Sequence, residues 1–200
     1  MQWKNNTRSP KTVKTHQRKI HIWYLEICTE ADINYKFCND EKLSIYQAKL
    51  PSPELSRYMY TAVGGEFFWV DRLPWNRDLW QKYLDRPELE TWIASYDGTP
   101  AGFFELELQA DQSCKITYFG LIRQFFGKGL GGHLLSKAVE RAWEKSNGRI
   151  WVHTCDMDHE HALENYKSRG FKVFREGDFE KILPTQPVGS WKGSNDDSLF

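Results

Sequence analysis

From Leu130 onward, apolar residues return every four positions, at Leu130, Leu134, Ala138 and Ala142, with Leu135, Val139 and Trp143 beside them. That is one face of an amphipathic helix, which Asn147-Gly148 ends. The other apolar runs are shorter and rich in β-branched and aromatic residues, so they read as strands: 20–28, 90–96, 101–109, 115–122 and 149–156. Asp97-Gly98 between two of these runs predicts a hairpin. Pro51-Ser52-Pro53 opens a helix over 53–63 that Gly64-Gly65 closes, and Asn76 caps a short helix reaching about Asp85. Asp158 or His159 caps a further helix to Arg169, with Gly170 at its C-terminus and a last strand starting at 171–175. The order β-α-α-β-β-β-α-β-α-β has a meander feeding a parallel βαβ crossover. It predicts a mixed α/β fold, a mostly antiparallel central sheet with helices on both faces.

A chain of 200 residues with 40% hydrophobic and 27% charged residues fits one soluble domain. It has neither a run of ~20 apolar residues nor an apolar leader with a cleavage site. A cytoplasmic protein with no membrane association is therefore expected. Net charge is zero, yet Lys4, Arg8, Lys11, Lys14, Arg18 and Lys19 all precede the first acidic residue. Residues 1–17 read as a basic, flexible arm and 184–200, rich in Gly, Ser and Asp, as a mobile tail. Such an arm can contact nucleic acid or direct a chain to an organelle, but a solvated tail is the preferred reading, and no nucleic-acid partner is predicted. Cys28, Cys38, Cys114 and Cys155 are too scattered for a zinc or redox pair, so free thiols and no metal site are expected.

Gly127-Lys128-Gly129-Leu130-Gly131-Gly132 lies between a strand and the long helix. The first N–H groups of a helix lack internal partners and carry partial positive charge, and glycines let an anion approach them. Lys128 adds attraction. Gly127-x-Gly129-x-x-Gly132 also fits a dinucleotide fingerprint, with Asp156 ending the next strand. Three antiparallel strands before the loop and only 44 residues after Asp156 speak against that fold. The P-loop pattern fails for want of a closing Lys-Ser or Lys-Thr.

The segments Tyr118-Phe119-Gly120-Leu121-Ile122-Arg123-Gln124-Phe125-Phe126-Gly127-Lys128-Gly129-Leu130-Gly131 and Ala162-Leu163-Glu164-Asn165-Tyr166-Lys167-Ser168-Arg169-Gly170-Phe171 resemble the two signature motifs of the GNAT superfamily of acetyl-CoA N-acyltransferases. The likeness covers roughly residues 18–183. It implies that Gln124, Gly127, Lys128, Gly129, Leu130, Gly131 and Gly132 surround the CoA pyrophosphate and that Leu121 and Ile122 run beside the pantetheine arm. His159 stands where the family often places a pantetheine-binding Asn. Tyr166 matches the tyrosine near the CoA sulfur, and a phenol there can protonate the departing thiolate; simple helix packing is the alternative. The implied cosubstrate is acetyl-CoA, without a metal.

Aminolysis of a thioester benefits from a base, because alkyl ammonium pKa values lie near ~10. Glu105 and Glu107 project from the same strand face as Phe103. Glu105 is the first candidate base and His153 the second, each weighed against a structural role. Tyr58, Tyr60, Phe67, Phe68, Trp69, Trp75, Trp80 and Trp92 crowd the region where the resemblance places the acceptor, with Asp71 as a possible ammonium partner. Core packing is the competing role. Cys155 as an acyl carrier lacks a recognisable partner arrangement. The expected reaction is direct transfer of acetyl to a primary amine in a ternary complex, the acceptor being a small molecule or a peptide; the alternative is a non-catalytic acyl-CoA-binding or regulatory domain. A homodimer remains open.

Overall fold

Asp97 and Gly98 both take positive φ, 51° and 81°, the two-residue hairpin turn whose twist suits the strands it joins. They connect β3 (Leu89–Tyr96) to β4 (Thr99–Leu108). In the computed structural model, which describes residues 14–189 and 191, these belong to one sheet with β1 (Thr15–Ile27), β2 (Leu43–Gln47), β5 (Cys114–Leu121), β6 (Ile150–Cys155) and β7 (Lys172–Pro184). Its order is β2-β3-β4-β5-β6-β1-β7, and only β5 and β6 pair in parallel.

Helix α1 (Pro53–Gly64) starts at Ser52, whose hydroxyl accepts the Leu55 N–H, and α2 (Arg77–Leu84) starts at Asn76, which accepts the Leu79 N–H. Met59 and Val63 of α1 pack on Ile93 and Phe103, covering one sheet face. The predicted amphipathic helix is α3 (Leu130–Lys145). It buries Leu130, Leu134, Leu135, Ala138, Val139 and Ala142 on the other face, together with Leu25, Phe104, Ile116 and Val152. The short α4 (Ala162–Ser168) joins α3 on that side through Tyr166.

Four boundaries differ from the sequence expectation. β1 begins at Thr15, so 15–17 of the expected arm are strand, while residues 1–13 lie outside the described residues. β2 is a five-residue edge strand too short to stand out of a polar stretch. β7 runs on to Pro184 although its sequence is charged: it is the other edge, and its outer carboxylates meet β1 cations, as in Lys19–Asp178 at 2.8 Å. Of the expected tail, residues 190 and 192–200 lie outside the described residues. Finally, α4 starts at Ala162 rather than after Asp158. The Asp158 carboxylate is engaged by the Thr154 hydroxyl (2.6 Å) and the Cys155 N–H (3.1 Å), which folds it back on the end of β6 instead of capping a helix.

A buried clamp ties α3 to β3. Arg141 donates Nε and Nη2 to the two oxygens of Glu90 (2.9 and 2.8 Å), Lys145 adds a bond at 3.1 Å and the Trp92 indole another at 2.9 Å. Burial pushes the Glu90 carboxyl up, but these donors outweigh it and hold its pKa down to about 2 against an ordinary 4.5. A depressed carboxylate stabilises the fold fully above pH 4.5, and the contribution is lost as pH falls towards 2. Glu90→Gln is therefore expected to cost about 2–4 kcal/mol at pH 7, by leaving Lys145 without its carboxylate and Arg141 with Glu144 alone. Urea unfolding should show the gap between variant and wild type shrinking below pH 4.5.

Candidate active site

β5 and β6 pair only through Cys114–Ile150, Lys115–Trp151 and Ile116–Val152. The β4–β5 register slips between Glu105 and Leu106, so Thr117 is an extra residue in β5, a bulge that bends the strand. β6 meanwhile stays paired with β1 as far as Cys155. The two strands part, and a cavity of about 870 Å³ opens between them. Beyond Ile116, β5 has no strand on that side, so its backbone groups there are available to an extended ligand.

One end of the cavity is the N-terminus of α3. Gly127 and Gly129 both take φ of 74°, a left-handed conformation that side chains disfavour. Gly129 is the N-cap and offers no side-chain capping bond, so the first-turn amides are left for a ligand. Leu121, Gly127, Gly129, Leu130, Gly131, Gly132 and His159 all line the cavity. Ile122, Gln124 and Lys128 do not. Ile122 turns into the apolar clusters, Gln124 is exposed on the 3-10 turn Arg123–Phe125, and the Lys128 ammonium sits 5.9 Å from the centre of the Tyr96 ring.

Tyr166 and His153 reach the same cavity. Tyr166 is buried, edge-on to Phe119 and Phe171. Burial, aided by the nearby Asp158 charge, raises its pKa strongly and keeps the phenol a hydrogen-bond donor. Burial, then the Lys115 charge, lower His153 to about 4, so its imidazole is neutral at physiological pH. Lys115 itself is pulled down by burial and rests on the Trp151 ring at 4.8 Å.

Glu105 is placed differently from the expectation. It is 1% exposed, is not in the cavity wall, and accepts bonds from Arg72 Nη1 and the Tyr83 hydroxyl, both at 3.0 Å. Arg72 is enclosed by aromatic rings, with its guanidinium carbon 3.9 Å from the Tyr83 centroid, 4.2 Å from Tyr118 and 5.0 Å from Trp75. A carboxylate so engaged holds this cage together and faces its two donors rather than the cavity. The aromatic crowd thus divides: Tyr60, Trp75 and Trp80 pack around an ion pair, while Phe67, Phe68, Trp69 and again Tyr60 line the cavity. Gly64 makes room for Trp69, since a Cβ there would stand 2.0 Å from the indole. Trp92 lies on the opposite face, stacked on Phe104, and Asp71 is taken by Lys181 at 2.6 Å.

Asp158, Arg169, Lys36 and Lys115 are cavity groups that the sequence does not single out. Asp158 caps no helix; it lines the cavity with its pKa raised by burial, despite the bonds from Thr154, the Cys155 N–H and Trp69. The strand-end Thr154-x-x-x-Asp158 spacing was the available signal. Arg169, hidden in a helix terminus, also lines it. Cys155 is there too, but burial and Asp158 push its thiol up to about 11, which leaves little thiolate for covalent chemistry.

Residues 56–171 match the family model described as the acetyltransferase (GNAT) family, more than half of the chain. The chain belongs to this family. Solved structures with a similar fold agree. A GCN5-related N-acetyltransferase from Kribbella flavida superposes with a TM-score of 0.58 at 13% identity, covering 86% of this GNAT chain and 61% of that protein. A GCN5-related N-acetyltransferase from Sphaerobacter thermophilus gives 0.61 at 15%, over 86% and 54%. An aminoglycoside acetyltransferase from an uncultured soil metagenomic sample, in complex with sisomicin, gives 0.56 at 15%, over 65% and 88%. This GNAT chain thus spans less than two thirds of the length of the first two. Among its described residues no helix is long and apolar enough to cross a membrane.

The displaced His153 pKa has a measurable consequence. Between pH 6.5 and about 4 the unfolded imidazole binds a proton that the folded one refuses. Stability is therefore lost as pH falls through this window, by about 1.4 kcal/mol per unit, or about 3 kcal/mol in all. In denaturant titrations from pH 7 to 4, His153→Gln should lose less stability than wild type by that amount.

Proposed function

We propose that this chain transfers an acetyl group from acetyl-CoA to a primary amine by direct attack in a ternary complex. The observation that carries the reading is one continuous cavity joining the uncapped α3 N-terminus, the unpaired edge of β5 and the buried Tyr166 hydroxyl. Its residues fit a nucleotide-thioester. Gly127 to Gly132 offer amides to a pyrophosphate, the Leu121 end of β5 offers a strand edge to an extended amide-bearing arm, and His159 flanks that arm. Bound acetyl-CoA supplies an activated acyl carbonyl and a thiolate leaving group.

The residues of the chain then divide the remaining work. His153, unprotonated above about pH 4, takes the proton that the amine sheds once its C–N bond has formed, directly or through water. Tyr166 donates a hydrogen bond to the departing sulfur; its strongly raised pKa means that it holds its own proton, and the proton from nitrogen ends on the thiol. Asp158 sets the electrostatics beside Tyr166. Alignment of amine and carbonyl in a closed site supplies much of the rate. A small-molecule acceptor in the cytoplasm is the favoured setting, supported by the fold shared with the sisomicin-bound enzyme; a peptide amine is the other acceptor class that the cavity accommodates.

Calorimetric titration with acetyl-CoA, with NADH as control, tests the donor. Micromolar binding of acetyl-CoA alone is expected, and a folded sample that binds only NADH would sink the reading. Gly129→Glu should abolish acetyl-CoA binding, because it sets a negative charge at the helix N-terminus and a side chain in a left-handed position. Tyr166→Phe should leave the acetyl-CoA affinity within about twofold and lower kcat roughly 10–100-fold, the worth of one buried hydrogen bond to a charged sulfur. Thiol release against an amine panel reads the second effect.

A further inference from the structure

Arg169 is 7% exposed, and its Nε and Nη1 have no hydrogen-bond partner among the described residues. A guanidinium stays charged near neutral pH, and an unpaired charge is rarely buried unless a ligand completes it. The nearby carboxylates are engaged elsewhere: Asp32 with Lys172 at 2.7 Å and Glu164 with Lys167 at 2.9 Å. Arg169 lines the cavity, and so does the exposed Lys36. Both press on the first turn of α3: a Cβ on Gly132 would come within 2.9 Å of Arg169 Nη1 and 3.0 Å of Lys36 Cδ.

Their placement is fixed by backbone bonds. The Asn34 N–H donates to the Arg169 carbonyl at 3.1 Å, and the Lys36 N–H to Ser136 Oγ at 2.7 Å. The Cys38 N–H donates to His133 Nδ1 at 2.9 Å. Residues 34–38 therefore form a strap from the end of α4 to α3 that carries Lys36 to the side of Arg169.

We infer that Arg169 and Lys36 form a second phosphate subsite, beside the Gly132 end of the glycine loop, that takes the 3′-phosphomonoester of the CoA donor. The inference rests on the acyl-CoA reading above. A diphosphate linkage carries one charge per phosphorus and is served by amide dipoles at Gly127 to Gly132. A phosphomonoester carries close to two and calls for full cations, which this corner holds.

Titration of the full chain with CoA and with dephospho-CoA, which lacks only that phosphate, tests the subsite. Wild type should bind CoA at least about tenfold more tightly. Arg169→Met should close the gap by weakening CoA alone, and Lys36→Ala, an exposed change that leaves the fold intact, should narrow it. Equal binding of the two nucleotides by wild type would overturn the subsite while leaving the acyl-CoA reading standing. So would an Arg169→Met protein that loses affinity for both equally, since the arginine would then serve the diphosphate or packing. Binding of neither nucleotide by folded wild type would remove the acyl-CoA reading itself. Ligand-free melting of both variants controls for folding.

Discussion

Two neighbouring parallel strands hold each other for three residue pairs and then let go, and the cavity exists because they do. Sheet cohesion opposes such a parting, since each separated pair leaves backbone donors and acceptors without partners. The bulge at Thr117 turns β5 aside, while β1 keeps β6 straight on its other flank. The loop, the N-terminus of α3 and Tyr166 all sit around this gap. A ligand that supplies hydrogen bonds along the β5 edge restores what the sheet gave up, so affinity is built into backbone geometry before any side chain is chosen.

The Arg72–Glu105 pair shows a different economy on the α1 face. A dry ion pair recovers its desolvation only with good geometry and further partners. Here Tyr83 gives Glu105 a second bond, and the faces of Tyr83, Tyr118 and Trp75 surround the guanidinium. The cage fixes the segment between α1 and α2 against β4 and β5, which makes one wall of the site rigid. Net charge in the wall is thereby neutralised, and the exposed chemistry of that side passes to Lys115 and His153.

Elements with a strong period or a diagnostic turn were legible in the sequence. The α3 stripe, the Asp97-Gly98 hairpin and the Ser52 and Asn76 caps depend on neighbours a few residues away, and they fold as those neighbours dictate. The glycine loop was equally local: positive φ at Gly127 and Gly129 and the start of α3 follow from neighbouring residues. What stayed hidden depends on long-range pairing. Whether Glu105 is a base or a structural carboxylate depends on Arg72, 33 residues away, which nothing local to the strand reveals. Asp158 looked like a cap because nothing local shows Thr154 reaching it across a turn. β7 was foreshortened because its charges are answered by β1, from the far end of the chain.

The place of β1 between β6 and β7 carries a consequence for how the molecule comes into being. The first strand of the sheet in chain order pairs with the last two, Ile22 meeting Cys155 on one side and Gly177 on the other. Until β6 and β7 have been made, both its edges are bare, and the core side chains Leu25 and Ile27 on its inner face lack their neighbours from β6. Contacts of such long sequence separation form slowly. The meander and α3 can gather first, as a partial sheet ending at β5 and β6; the N-terminal strand must then be retrieved and slotted in, sealing the core in a final step that a nascent chain cannot take early.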